Sequence, residues 1–280
     1  MGALRQQFEQ DGFLVLPGFC TPAECDLLMQ RAAELSAGFD YSGQASIFQT
    51  NEQSRTSDDY FLASGENISF FFEKDAFDQQ GQLRQPVEKS FNKIGHALHD
   101  LDPVFDRFSH HPRLQKLAND LGLTHHLIVQ SMFIFKHARI GGVVDLHQDA
   151  SFLYTEPASC TGFWFALEDA NASNGCLWAR PGGHRTTLRQ RFYRLPGGGT
   201  AMETLDTTAL SDEGMVPLEV EKGTCIVLHG LLPHYSLPNI SGKSRQAFTL
   251  HTVDSRFSYP ANNWLQRTSL AFRGFQTAPV

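Results

Sequence analysis

From residue 126 onward the chain breaks into short apolar runs, and no other feature restricts its fold so tightly. The runs cover 127–136, 143–147, 162–167, 176–179, 216–220, 224–229 and 245–253, with clusters of Gly, Pro and Asn between them. Runs of this length bounded by turn residues read as strands. So many of them in succession predict a barrel or jelly roll. The first part of the chain reads differently. Residues 4–10 predict a short helix that Gly12 ends, and 13–16 a strand. Thr21 is placed to cap a helix, Pro22 suits its first position and Glu24 completes a capping box, so a helix runs to Leu35. Residues 38–60 are polar and irregular, as in a surface loop. Residues 68–73 predict a strand and 77–87 a turn or hairpin around Gly81, while 88–98 and 113–121 carry helical spacing. Helices first and strands second make an α+β chain, with helices covering one face of a barrel. With no repeat or long linker, residues 1–280 read as a single domain.

Composition narrows the function. Hydrophobic residues make up 41% and charged residues 19%, enough for a sizeable core. Phe occurs 23 times against 6 Tyr, which suits an aromatic barrel interior. The net charge is −7 and no basic run stands out, so the electrostatic footprint of a nucleic-acid binder is missing. No apolar stretch is long enough for a membrane span or a secretory h-region. Gln6 stands where a myristoylation signal needs Ser or Thr, and Ala278, Pro279 and Val280 are not a peroxisomal tripeptide. Five cysteines without a C-x-x-C pair read as free thiols of a reducing compartment. The expected location is cytoplasmic.

His147 and Asp149 carry the chemical signal. In an extended segment they project to one side, with Gln148 pointing away. Alone the tripeptide is weak, since a chain of this composition contains on the order of one by chance. An H-x-D at a solvated strand end would be inert, but Leu146 and the Ala150-Ser151-Phe152-Leu153-Tyr154 run argue against a solvated setting. A second imidazole would complete two His and one carboxylate on one face of a metal, the facial triad of non-haem Fe(II) oxygenases. His234 and His229 both qualify, and geometry does not choose between them. Arg245 heads a run in which Arg245, Ala247, Thr249 and His251 share a face. It reads either as a surface ion pair or as a clamp for the distal carboxylate of a 2-oxo acid. Ser236 could add a hydroxyl to that carboxylate. The adjacent pairs His110-His111 and His125-His126 default to surface or loop roles, and His184 sits in a positively charged turn.

With these residues in view, the chain resembles the phytanoyl-CoA dioxygenase family. The likeness rests on Asp11-Gly12-Phe13-Leu14-Val15-Leu16-Pro17-Gly18-Phe19, on Asn174-Gly175-Cys176-Leu177-Trp178 with Pro181-Gly182-Gly183-His184, and on Ser244-Arg245-Gln246-Ala247-Phe248. Three longer strings add to it, beginning at Phe70, Asn92 and His147, and it runs from about residue 8 to 265. The resemblance implies a double-stranded β-helix with helices packed on one face, and Fe(II), 2-oxoglutarate and O2 as cofactors. It implies His147, Asp149 and His234, rather than His229, as iron ligands. It matches Arg245 and Ser236 to the 2-oxoglutarate anchors and places further cosubstrate contacts at Lys93, Met132 and Trp164. Read from the residues alone, Lys93 is a surface helix position, while Met132 and Trp164 are core.

The expected activity is therefore hydroxylation of a small organic metabolite with release of succinate and CO2. Alternatives are an acyl-CoA 2-hydroxylase, or a β-helix that binds metal or ligand without catalysis. Desaturation and ring formation follow from the same cofactor, whereas halogenation is disfavoured because Asp149 fills the position a halide would need. An acyl-CoA is disfavoured because clustered basic residues for its phosphates are lacking. The nearest, Arg185, Arg189, Arg191 and Arg194, lie in what reads as a mobile surface loop.

Overall fold

A computed structural model describes residues 2–40 and 59–275, so most of the loop expected at 38–60 lies outside the described residues. The chain opens with α1 (Ala3–Asp11), which ends at Gly12 with φ 79, a left-handed turn that costs glycine nothing. β1 (Phe13–Leu16) follows, then α2 (Pro22–Ala37). The capping box forms as its residues predict: Thr21 Oγ1 accepts from Glu24 N, and Thr21 N donates to Glu24 Oε2 at 2.8 Å. Such a cap stabilises a helix by about 1 kcal/mol.

Two sheets form the barrel. The larger has the order β1, β11 (Cys225–His229), β6 (Thr161–Ala166), β13 (Ala247–Asp254), β4 (His126–Ile134), β3 (Phe91–His96) and β2 (Ile68–Phe72), with β14 (Arg273–Gly274) also on β4. The smaller has the order β10 (Val216–Leu218), β7 (Leu177–Ala179), β12 (His234–Ser236) and β5 (Val144–His147). All named pairings in both are antiparallel. The fold is an α+β double-stranded β-helix.

The central strands of the larger sheet are buried on both faces, which is why they read as continuous apolar runs rather than alternating ones. Their alternate residues nevertheless do different things. Phe165, Phe248 and Leu250 pack outward against α2 and the helices Pro103–Ser109 and Pro112–Leu121, and Phe163 lies between this core and the cavity. Phe105 meets Phe248 at 4.9 Å and Phe108 meets Phe165 edge-on at 5.0 Å between ring centroids. Each such ring buried contributes roughly 1.5–3 kcal/mol. Trp164, Ala166, Ala247, Ile226 and Leu228 face inward and pack with Leu177, Ala179 and Leu218 of the smaller sheet. Past this inner core the two sheets part to leave a cavity.

Three expectations fail. Residues 88–98 are not a helix: a 3-10 turn (Val87–Lys89) leads into β3, which pairs with β2 and β4. Phe91 and Ile94 belong to the core under the helices, whereas Lys93 lines the cavity, so the inner face of the strand reads polar and the apolar spacing imitates a helix. Lys93 is accordingly on a strand and 6% exposed, not on a helix surface. The segment holding the four arginines is no loose loop throughout: Arg191 and Arg194 lie on β8 (Gln190–Arg194), which forms a hairpin with β9 (Thr200–Thr204), while Arg185 and Arg189 precede it. Nor do the paired histidines all take surface or loop positions, since His126 is buried at the start of β4 and bonded to Thr252 at 2.9 Å. Among the described residues no helix is long and apolar enough to cross a membrane.

Candidate active site

His147 ends β5, and His234 begins the neighbouring β12 as its direct cross-strand partner. Their rings stand 4.4 Å apart. Asp149 follows in the 3-10 turn Asp149–Ser151 and turns its carboxylate between them, with Oδ1 3.4 Å from His147 Nε2 and 3.7 Å from His234 Nε2. One ligand atom from each of the three lies within 4.8 Å of the others. Both imidazoles are held in the same tautomer. Nδ1 of His147 donates to Asp145 O at 2.7 Å and Nδ1 of His234 to Leu232 O at 3.0 Å, which leaves both Nε2 lone pairs for a metal. Gln148 points the other way. Its Nε2 donates to Leu231 O and Thr187 O while its Oε1 accepts from Arg189 N, so it fastens the loops around the site.

Electrostatics hold His234 neutral and Asp149 ionised, as metal ligation needs, and without a metal favour the charged form of His147. Burial pushes His234 down to about 4 against the pull of Asp149, so it is neutral near pH 7. Burial also lowers His147, but its hydrogen bond and charge interaction with Asp149 outweigh that and raise it. Burial opposes ionisation of Asp149, yet His234 and His251 hold its carboxyl well below the usual range. His251 Nε2 lies 3.4 Å from Asp149 Oδ2, an ion-pair distance, but no hydrogen bond reaches that buried oxygen. The main chain at Gly162 leaves the space for this pair, since a Cβ there would sit 3.1 Å from Asp149 Oδ2.

A cavity of about 190 Å³ joins this cluster to Arg245. Arg245 lies two residues before β13 and is 1% exposed, with its guanidinium over the Trp164 ring at 5.2 Å. Glu168 braces the turn, accepting from Ser244 Oγ and Gln246 N. Burial lowers Arg245 to about 10, so it stays charged at neutral pH. Its Nε and Nη1 find no hydrogen-bond partner. A buried guanidinium with idle donors fits a carboxylate ligand. Both the donor set and these orphaned atoms therefore suit iron and a 2-oxo acid.

The cavity also brings in Lys93, Met132, Trp164 and Ser236. Met132 thus borders open space instead of packed core. His229 stays outside, against Phe8 at 6.0 Å and His184 at 5.0 Å, with Nδ1 accepting from Leu231 N. Further polar residues line the cavity without having been singled out, Glu73, Lys136 and Gln130 among them. Buried Lys and Glu have no local sequence signature. The far end is apolar, formed by Phe61, Phe152, Phe192, Met202 and Trp264. Phe70 and Phe72 pack beneath the helices and Phe71 in a separate core cluster; none of the three borders the cavity.

A double-stranded β-helix holding two imidazoles, a carboxylate and a buried guanidinium around one cavity defines an Fe(II)- and 2-oxoglutarate-dependent oxygenase. Residues 8–247 match the family described as phytanoyl-CoA dioxygenase (PhyH). The chain therefore belongs to the phytanoyl-CoA dioxygenase family. It is 45% identical to phytanoyl-CoA dioxygenase domain-containing protein 1 of Bos taurus, over 94% of each chain. It is 44% identical to a phytanoyl-CoA dioxygenase of Arabidopsis thaliana, over 94% of this chain and 92% of the relative. Among solved structures, the epimerase SnoN in complex with Fe3+, alpha ketoglutarate and nogalamycin RO is similar in fold, with a TM-score of 0.64 at 17% identity over 99% of this chain and 94% of that one. The cofactors are Fe(II), 2-oxoglutarate and O2.

Proposed function

We propose that the protein hydroxylates a small organic metabolite, with 2-oxoglutarate converted to succinate and CO2, and that the chain works as one domain. His147, Asp149 and His234 hold the iron, and Arg245 with Ser236 grips the 5-carboxylate of 2-oxoglutarate. Lys93, Met132 and Trp164 complete the walls around that cosubstrate. Iron, 2-oxoglutarate and O2 together supply the oxidising power for an unactivated C–H bond. The chain itself presents two Nε2 lone pairs and one carboxylate oxygen on one side of the metal, leaving the other side open. It aims a bidentate guanidinium at the cosubstrate and excludes water with the Phe61, Phe152, Phe192 and Trp264 end of the cavity. The carrying observation is the buried, unpaired Arg245 in the same cavity as the His-Asp-His cluster. Succinate formation from 2-oxoglutarate with Fe(II) is the direct test. Arg245→Lys keeps the charge but loses the fork, so the KM for 2-oxoglutarate should rise, and rise further in Arg245→Ala. An unchanged KM in both removes Arg245 from the site.

The four arginines between residues 185 and 194 support a small substrate over an acyl-CoA, because they are already engaged. Arg189 pairs with Asp206 at 2.6 Å, Arg191 lies over the Tyr154 ring at 4.4 Å, and Arg194 donates to Trp264 O at 2.6 Å. Arg185 donates to Gln10 O at 2.9 Å. Phosphates would have to displace these partners. Fatty acyl-CoA and free-metabolite panels should be compared for hydroxylated product per succinate. Stoichiometric hydroxylation of phytanoyl-CoA, lost when the four arginines are neutralised, would overturn the small-metabolite reading. The five free, buried thiols support a cytoplasmic setting, and the net charge of −7 supports a partner other than nucleic acid.

A further inference from the structure

Lys136 lies in the cavity close to Arg245, and none of the roles above uses it. It stands just past the end of β4 at φ 37, a left-handed conformation that costs a non-glycine residue about 1–3 kcal/mol. It is 2% exposed. Its Nζ donates to Ser236 Oγ at 2.7 Å and to Gly142 O at 2.8 Å. Glycines shape the slot for its stem. A Cβ on Gly141 would stand 2.6 Å from Lys136 Cγ, and one on Gly175 would stand 2.1 Å from Lys136 Cε. Its carbonyl accepts from Arg245 N at 3.2 Å and from Asn239 Nδ2 at 2.9 Å. A strained, buried lysine with a tailored slot, tied to both Ser236 and Arg245, is expensive to keep unless its head group has work to do.

Hydrogen-bond inventory suggests what that work is. An ammonium has three donors and no acceptor. With Lys136 charged, as an adjacent carboxylate favours, Ser236 Oγ accepts from it and the hydroxyl proton cannot point back at the lysine. Among the described residues no protein acceptor takes that proton either, and Ser236 is buried in the cavity wall. We propose that Lys136 is a positioning residue for the distal carboxylate of 2-oxoglutarate: by occupying a lone pair of Ser236 Oγ, it fixes that hydroxyl as a donor into the cavity beside the Arg245 guanidinium. The inference rests on the reading that Arg245 and Ser236 hold that carboxylate. Burial and the Arg245 charge bring Lys136 down to about 7, while Glu73 raises it, so an entering carboxylate would favour its charged form.

The test is calorimetry on Mn(II)-loaded protein with two ligands: 2-oxoglutarate, and 2-oxopentanoate, which keeps the 2-oxo acid head and lacks the distal carboxylate. Lys136→Met and Lys136→Gln should each weaken 2-oxoglutarate about tenfold or more and leave 2-oxopentanoate unchanged. With Ser236→Ala the losses should not add, because both variants remove the same oriented donor. Wild-type affinity for 2-oxoglutarate in the Lys136 variants would overturn the proposal. So would equal weakening of both ligands, additive losses, or a slot in which neither variant folds by near-ultraviolet circular dichroism, each of which would mark Lys136 as structural. Failure of the underlying reading looks different: Arg245→Ala would then bind 2-oxoglutarate as the wild type does.

Discussion

Arg245→Met should make the ligand-free protein more stable while removing its response to 2-oxoglutarate. The guanidinium is 1% exposed and its Nε and Nη1 donors are idle. Each unsatisfied buried donor costs about 1–3 kcal/mol. Stacking over Trp164 returns about 1–2 kcal/mol of that. Replacing a buried charge by an apolar side chain of similar volume is commonly neutral or stabilising by about 1–4 kcal/mol. The balance favours the methionine variant by about 2 kcal/mol without cosubstrate. With cosubstrate the order reverses. A ligand at about 100 times its Kd stabilises the folded wild type by about 2.7 kcal/mol, and the variant should gain almost none of this. Urea denaturation of the Mn(II)-loaded pair, with and without 2-oxoglutarate, gives both differences from the midpoints and slopes. A variant less stable than wild type without 2-oxoglutarate, with an unchanged slope, would mean that Arg245 is satisfied in the free protein and that its idle donors do not signal a ligand.

His234→Ala should abolish Mn(II) binding measured by calorimetry, whereas His229→Ala should keep it and lose packing with Phe8 and His184 and the hydrogen bond from Leu231 N; the opposite pattern would move the ligand to His229. Gly162→Ala should lower Mn(II) affinity about tenfold with little change in Tm, because the new methyl group presses Asp149 Oδ2 from 3.1 Å; an unchanged affinity would show that the carboxylate has room to move. Stability of the metal-free protein should fall in mild acid. Burial holds His126, His137 and His229 at about 4 in the fold, below their ordinary 6.5, so between these values the unfolded chain binds more protons. Their contribution is complete above 6.5 and lost as pH falls toward 4, at up to about 1.4 kcal/mol per unit for each histidine. Equal urea midpoints at pH 7 and pH 5 would contradict this.

Much of the fold was legible because its strands sit where apolar runs meet turn residues. The capping box at Thr21 and Glu24, most of the strands after residue 126 and the shared face of Arg245, Thr249 and His251 could be read directly. β3 could not, because its inner face borders a polar cavity: Lys93 stands where a packed strand would carry an apolar residue, and Phe91 and Ile94 alone then imitate a helical stripe. The β8–β9 hairpin was hidden by its arginines, whose partners lie far away in sequence, as Asn262 does for Arg191. His147 and Asp149 advertise themselves by spacing, whereas the choice between His229 and His234 came only with the family resemblance, and the strand register that sets His234 opposite His147 supports it. Lys136 and Glu73 left no trace, since a lysine or glutamate is ordinarily read as solvent-facing.

The alternation along β6 and β13 means that two kinds of selection act on one strand. Phe165, Phe248 and Leu250 answer to the helices, while Trp164, Thr249 and His251 answer to whatever enters the cavity. A saturation library over these strands should therefore separate into two interleaved populations, one losing expression and the other losing turnover in well-expressed protein. Retargeting the enzyme becomes a search over every second residue. The same arrangement lets relatives diverge in substrate by drift on one side of a sheet while the other side keeps the barrel assembled.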